Sequence, residues 1–239
     1  MPLRKIKPAN EEFYHLVKRG VEEREIFLDD EDRFRFVNSL LVFNDQAAAP
    51  WQLRAFWKQQ TPDTLIRSDY RPKVPLIEIH ALSLMPNHFH LLVRQLLDNG
   101  TALFMQKLGG YSWYFNKKYK RNGTLFQDRY KIVHIKTEDQ LKNTFIYIHT
   151  NPLSLIEPGW KEWKVENPEK ATKFLEQDYL WSSYRDYLGI DNFSSLVVRN
   201  FFLELFGKNE EIKKAISANI LFKASITRPG GVVEQGWLE

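Results

Sequence analysis

Residues 75–95, PLIEIHALSLMPNHFHLLVRQ, decide the fold. Residues 75–84 form an apolar run rich in Leu and Ile, and Met85-Pro86-Asn87 is a turn signal. Residues 88–95 return as a second apolar run, so the stretch predicts a β-hairpin, central in a sheet. Side chains alternate along a strand, so His88-Phe89-His90 sends both imidazoles to one face and Phe89 to the other. Two imidazoles on one rigid element are two candidate metal ligands. The alternative is a turn-end histidine followed by a satisfied sheet histidine, and a third ligand decides between the two.

Upstream, residues 13–19 (FYHLVKR) read as a strand with Phe13, His15 and Val17 on one side and Tyr14 and Leu16 on the other. Residues 21–34 carry seven acids and two arginines, and Asp29 or Asp30 is placed to cap a helix running through Phe36, Leu40 and Leu41 toward Phe43. Residues 44–75 are irregular, broken at Pro50, Pro62 and Pro72. Their apolar group of Trp51, Leu53, Phe56 and Trp57 is expected to cover the core as an insertion.

Downstream come a helix over 98–120, a turn at Asn122-Gly123 and a strand over 128–136 (DRYKIVHIK). Thr137 with Gln140 resembles a capping box, opening a helix at Glu138 whose stripe is Leu141, Phe145 and Ile148 and which Pro152 stops. The order β-α-β-β-α-β-α predicts an α+β, ferredoxin-like antiparallel sheet with helices packed on one face. Beyond Trp160, residues 161–178 read as a charged loop with a helical piece. Two short helices are expected over 195–206 and 209–222, then a mobile tail.

Composition removes other classes of answer. The 239-residue chain has no cysteine, which excludes a disulfide framework, a zinc finger, an iron–sulfur cluster and a thiol nucleophile. With 43% hydrophobic residues it can bury a full core. The basic start lacks the apolar run of a signal peptide and no stretch approaches a membrane span, so the sequence predicts a soluble, cytoplasmic protein. The net charge of +4 is uneven. Between Phe104 and Lys136, eight basic residues face one acid, Asp128, a local charge of +7.

That segment holds Lys107, Lys117, Lys118, Lys120, Arg121, Arg129 and Lys131, interleaved with aromatics that include Tyr119. Cations that neutralise phosphates, beside rings on which bases stack, suit an unpaired nucleic-acid strand. On the helix after Thr137, Tyr147 lies more than a quarter turn off the apolar stripe, and Asn151 shares its face one turn later. A phenol needs help to attack anything, and a metal ion that polarises a phosphate diester supplies that help from the electrophile's side. Asn151 offers an amide oxygen as the third ligand.

Four segments in order, LMPNHFHLLV (84–93), NGTLFQDRYK (122–131), YIHTNP (147–152) and LWSSYRDYLG (180–189), resemble the single-tyrosine HUH transposases, the REP-associated tyrosine transposases above all. The resemblance covers roughly residues 9–190. It implies a catalytic domain over 1–190, with 44–75 as an insertion and 191–239 as a helical C-terminal extension. It also implies a homodimer in the cytoplasm, associated with the nucleoid, acting on single-stranded DNA with hairpin features. His88 and His90 match the family's metal-binding histidines, Tyr147 matches its nucleophile, and Asn151 sits where members carry an amide or similar ligand. The implied metal is Mg²⁺ or Mn²⁺, although two imidazoles by themselves favour a later transition metal.

The expected activity is DNA strand transfer through a 5′-phosphotyrosine. A non-catalytic nucleic-acid-binding regulator is the main alternative, and a phosphodiesterase that uses water, with Tyr147 structural, is a weaker one.

Overall fold

The computed structural model describes residues 6–47 and 71–225. The apolar group of Trp51, Leu53, Phe56 and Trp57, and the expected tail, lie outside the described residues.

The hairpin forms as β2 (Ile77–Met85) and β3 (His88–Gln95), with Met85 opposite His88 across a Pro86-Asn87 turn and a bulge between Ile79 and Ala81. β1 (Phe13–Arg19) pairs antiparallel with β3 on one side and with β4 (Lys131–Ile135) on the other. The four-stranded order β2-β3-β1-β4 interleaves two β-α-β units, the ferredoxin-like arrangement. β3 is thus central, whereas β2 stands at the end of the order. Its outer edge is covered by backbone pairing with later segments: Leu84 N–H donates to Trp181 O at 2.9 Å, Ser183 N–H to Leu82 O at 3.0 Å and Val198 N–H to Ile79 O at 2.9 Å. That cover explains why a terminal strand reads as apolar as a buried one.

α1 (Asp30–Phe43) starts where Asp29 accepts from Asp32 N–H at 2.9 Å. The helix expected over 98–120 is two, α2 (Gly100–Leu108) and α3 (Gly110–Lys118), broken at the paired glycines 109 and 110. Adjacent glycines are poor helix formers and make such a break cheap. At the start of α2, a Cβ on Gly100 would lie 2.4 Å from the Leu76 carbonyl oxygen, so only glycine lets this helix approach the strand.

α4 (Glu138–Thr150) is capped by Thr137, which accepts from Gln140 N–H at 3.2 Å. The reciprocal bond differs from a capping box, since Gln140 Oε1 accepts from Lys136 N–H at 2.9 Å. A 3₁₀ turn, Asn151–Leu155, follows directly, with Asn151 still in helical conformation and donating to Tyr147 O. Pro152 sits at the first turn of that 3₁₀ segment, where its missing N–H costs nothing.

The helices do not all lie on one face. α1 and α3 pack on the face bearing Tyr14, Leu16 and Phe89: Phe36 meets Phe89 at 4.7 Å between ring centroids and Tyr111 meets Phe36 at 5.1 Å. α4 covers the opposite face, where Tyr147 meets His15 and His90. The strand pattern explains the difference, because all of β2 and β3 but Glu78 and Arg94 is buried, which requires cover on both sides.

The remaining helices are α5 (Pro168–Lys173), continued by a π-helical turn at Phe174–Asp178, α6 (Tyr184–Tyr187), α7 (Asn200–Phe206) and α8 (Asn209–Ser225). The helix expected from 195 starts only at Asn200, because Val197 and Val198 are extended along Ile79 of β2. Phe202 then stacks on Phe145 of α4 at 4.5 Å and 16°, and Ile212, Ile216 and Ile220 of α8 join the same buried core. Among the described residues no helix is long and apolar enough to cross a membrane.

Candidate active site

One open cavity of about 890 Å³ is lined by residues from β1, β3, β4, α4, the 3₁₀ turn that starts at Asn151, and three connecting segments, at 21–23, 127–129 and Lys161. It takes in His88, His90, Tyr147 and Asn151, four side chains the sequence singled out, together with Arg129 and Lys131. The pleat explains the histidines. Their rings lie on the same face of β3 with centroids 4.9 Å apart, while Phe89 enters the opposite core layer. Tyr147 stands edge-on to His90 at 5.5 Å. α4 carries it there because Leu141, Phe145 and Ile148 are buried and turn the off-stripe ring toward the sheet histidines. His149, on the buried side of α4, accepts from or donates to Ser183 Oγ at 2.7 Å and ties the helix to the segment along β2.

The proton positions on His88 follow from its neighbour. Asn87 Nδ2 donates to the Glu23 carbonyl at 3.1 Å, which fixes the amide so that Oδ1 faces His88. Oδ1 can only accept, so His88 Nδ1–H donates to it at 2.6 Å and the lone pair is left on Nε2. Burial, with Arg19 and Lys161 nearby, lowers the His88 pKa to about 3. Burial first, then the neighbouring histidines and the same two cations, holds His90 well below the ordinary range as well. Both rings are therefore neutral at physiological pH, the form that binds a metal.

Two buried polar atoms of residues lining this cavity have no hydrogen-bond partner, His90 Nε2 and Asn151 Oδ1. A divalent cation satisfies such atoms together, so two imidazoles and an amide oxygen fit one. Among the described residues no group of three His, Cys, Asp or Glu side chains is gathered for a metal, so the amide is needed to complete the set.

The lining is cationic on balance, with Lys18, Arg19, Arg129, Lys131 and Lys161 against Glu22, Glu23 and Asp128. That excess suits a phosphate chain. The other basic candidates do not line this cavity. Lys107 donates to Gln46 O at 3.1 Å, and Lys118 bridges Asp29, Glu31 and the fully buried Asp32 at 2.9–3.0 Å. Tyr119 OH donates to Asp32 at 2.8 Å, Arg121 donates to Asn116 at 2.7 Å and Lys117 lies over the Trp113 ring. Lys120 is exposed at the end of α3 with a φ of 51°. Lys118 and Tyr119 bind α3 to the acidic start of α1, a pairing between two oppositely charged segments that local charge counting does not see.

Sequence reading passed over Arg19 and Lys161 as site groups, and placed His15 on a strand face without giving it a role. The signal for His15 was the period of two along β1, which puts it on the face of Val17 opposite His90. Lys161 had no local signal, since it reaches the cavity from a loop beyond Trp160.

Residues 73–151 match the family model described as Transposase IS200 like. The matched stretch runs from just before β2 to Asn151 and holds all four residues His88, His90, Tyr147 and Asn151. A solved structure described as the REP associates tyrosine transposase bound to a REP hairpin aligns with a TM-score of 0.47 and 12% identity, over 84% of this chain and 92% of that one. A search of curated proteins returns no match.

Proposed function

We propose that this chain is a tyrosine transposase of the IS200-like kind, which cleaves and rejoins single-stranded, hairpin-bearing DNA through a covalent phosphotyrosine. The observation that carries the reading is the shared cavity of His88, His90, Tyr147 and Asn151 inside the matched segment. His88, His90 and Asn151 would hold Mg²⁺ or Mn²⁺, which when bound polarises the scissile phosphate and stabilises the charge that builds on its oxygens.

The rest of the chemistry belongs to the chain. Lys161, Arg19, Arg129 and Lys131 draw the phosphate backbone into the cavity and offset its charge. Tyr147 Oη attacks phosphorus and gives up its proton. The bond to the 3′ oxygen breaks, that oxygen takes up a proton, and the phosphate is left joined to Tyr147 through its 5′ side. A second 3′-hydroxyl attacks the phosphotyrosine and restores a diester and a free phenol. One phosphodiester is exchanged for another of similar energy, so no nucleoside triphosphate is consumed. We propose a homodimer as well; within the single chain Tyr147 already stands 5.5 Å from that chain's own His90, ring centroid to ring centroid.

The test is incubation with labelled single-stranded hairpin DNA and Mn²⁺, followed by denaturing electrophoresis. A protein–DNA adduct is expected, and Tyr147→Phe abolishes it. Cleavage that survives Tyr147→Phe means that water is the nucleophile. Binding with no cleavage means that the chain is a regulator.

A further inference from the structure

We propose that His15 is a positioning residue that sets the tautomer and orientation of His90 and seats the Tyr147 ring, an inference that rests on the metal-binding reading of His88 and His90. His15 lies on β1, on the face shared with Val17, whose register partner across β3 is His90. It is buried, and its Nε2 lies 2.9 Å from His90 Nδ1. The two rings stack at 5.2 Å with 19° between planes, and the Tyr147 ring stands edge-on to His15 at 5.9 Å and 74°. His15 therefore touches both the candidate ligand and the candidate nucleophile, and no other described ring meets both His90 and Tyr147.

A hydrogen bond between two neutral imidazoles has one donor and one acceptor. If His15 Nε2–H donated, His90 would carry its proton on Nε2 and its lone pair, on Nδ1, would be taken, leaving the ring nothing with which to bind a cation; either arrangement leaves one buried N–H unpartnered, on His90 Nε2 or on His15 Nδ1. With His90 Nδ1–H donating to His15 Nε2, the His90 lone pair stands on Nε2, and the same cavity is lined by the residue of a second unpartnered acceptor, Asn151 Oδ1. This arrangement matches that of His88, whose Nδ1–H donates to Asn87. Each histidine then has its proton fixed by a neighbour on one nitrogen and the other nitrogen free to bind a cation. In either arrangement His15 Nδ1 stays buried without a partner, a burden that a residue kept only for packing has no reason to bear.

Two measurements decide the matter. Nitrogen-15 correlation spectra of the metal-free protein report imidazole protonation directly, and His90 is expected as the Nδ1–H tautomer; a proton on Nε2 overturns the proposal. Mn²⁺ alone is then titrated, with the free-ion electron paramagnetic resonance signal as readout. His15→Phe keeps the ring but has no acceptor and is expected to bind Mn²⁺ about 10–100-fold more weakly. His15→Gln places an acceptor oxygen near the former Nε2 and is expected to stay within a few-fold of the parent. Equal affinity for the parent and His15→Phe refutes the positioning role. A parent that binds no Mn²⁺ while His90 is Nδ1-protonated refutes the metal reading instead.

Discussion

Acidification of the metal-free protein from pH 7 to pH 5 should remove much of its stability. Burial lowers the pKa of His15 to about 4 and those of His88 and His149 to about 3, against 6.5 for an ordinary histidine. A histidine whose folded pKa is depressed favours the fold in its deprotonated, neutral form. The stability it contributes is fully present above pH 6.5 and is lost as pH falls, because only the unfolded chain takes up the proton.

At about 1.4 kcal/mol per pH unit, each of these histidines loses about 2 kcal/mol over this interval, or about 6 kcal/mol for three. Asp186 works in the opposite direction. Burial raises its pKa to about 6, so the fold binds a proton that the unfolded chain does not, and about 1 kcal/mol is regained. The net loss is about 5 kcal/mol, comparable with the whole stability of many domains. Urea titration in EDTA, followed by tryptophan fluorescence at both pH values, measures it. His149→Gln should reduce the difference by about 2 kcal/mol, the share of one histidine. Stabilities at pH 7 and pH 5 that agree within about 1 kcal/mol would mean that the fold does not hold the buried rings neutral.

Three further outcomes follow from packing and charge. Phe202→Ala empties a fully buried position stacked on Phe145 and should cost about 3–5 kcal/mol, seen by calorimetry as one transition roughly 6–20 °C lower. A second, separate transition would show that the C-terminal helices fold apart from the sheet. Lys118→Ala strips the buried Asp32 of its cation and should cost about 1–3 kcal/mol, less than a fully buried pair because Lys118 is partly exposed. Lys131→Ala should leave stability within about 0.5 kcal/mol but weaken DNA binding and lower its salt slope by about one; an unchanged slope would remove Lys131 from the DNA path.

Much of this was readable from the chain. The hairpin, the strand over 13–19 and the helix from Glu138 to Thr150 stand where alternation, the apolar stripe and the Thr137 cap put them. The same periodicities bring His88, His90, Tyr147 and Asn151 into one cavity. What escaped depends on contacts distant in sequence. Cover of the β2 edge by residues 181–183 and 197–198 follows from tertiary pairing that no local window contains. The glycines 109 and 110 divide what the sequence predicts as one helix over 98–120. The basic stretch 104–136 divides in space, with Lys118 turned to the acids of α1 and Arg129 and Lys131 facing the cavity. Charge along a sequence therefore gives the sign of an interaction but not which residues face a ligand.

Whether Tyr147 is the nucleophile is decided by trapping the product of single-stranded hairpin DNA with Mn²⁺, digesting protein and DNA, and locating the modified residue by tandem mass spectrometry. The expected product is a nucleotide attached through a 5′-phosphate to Tyr147 and to no other tyrosine. A nucleotide on a different residue, or cleaved DNA with every tyrosine unmodified, would contradict it.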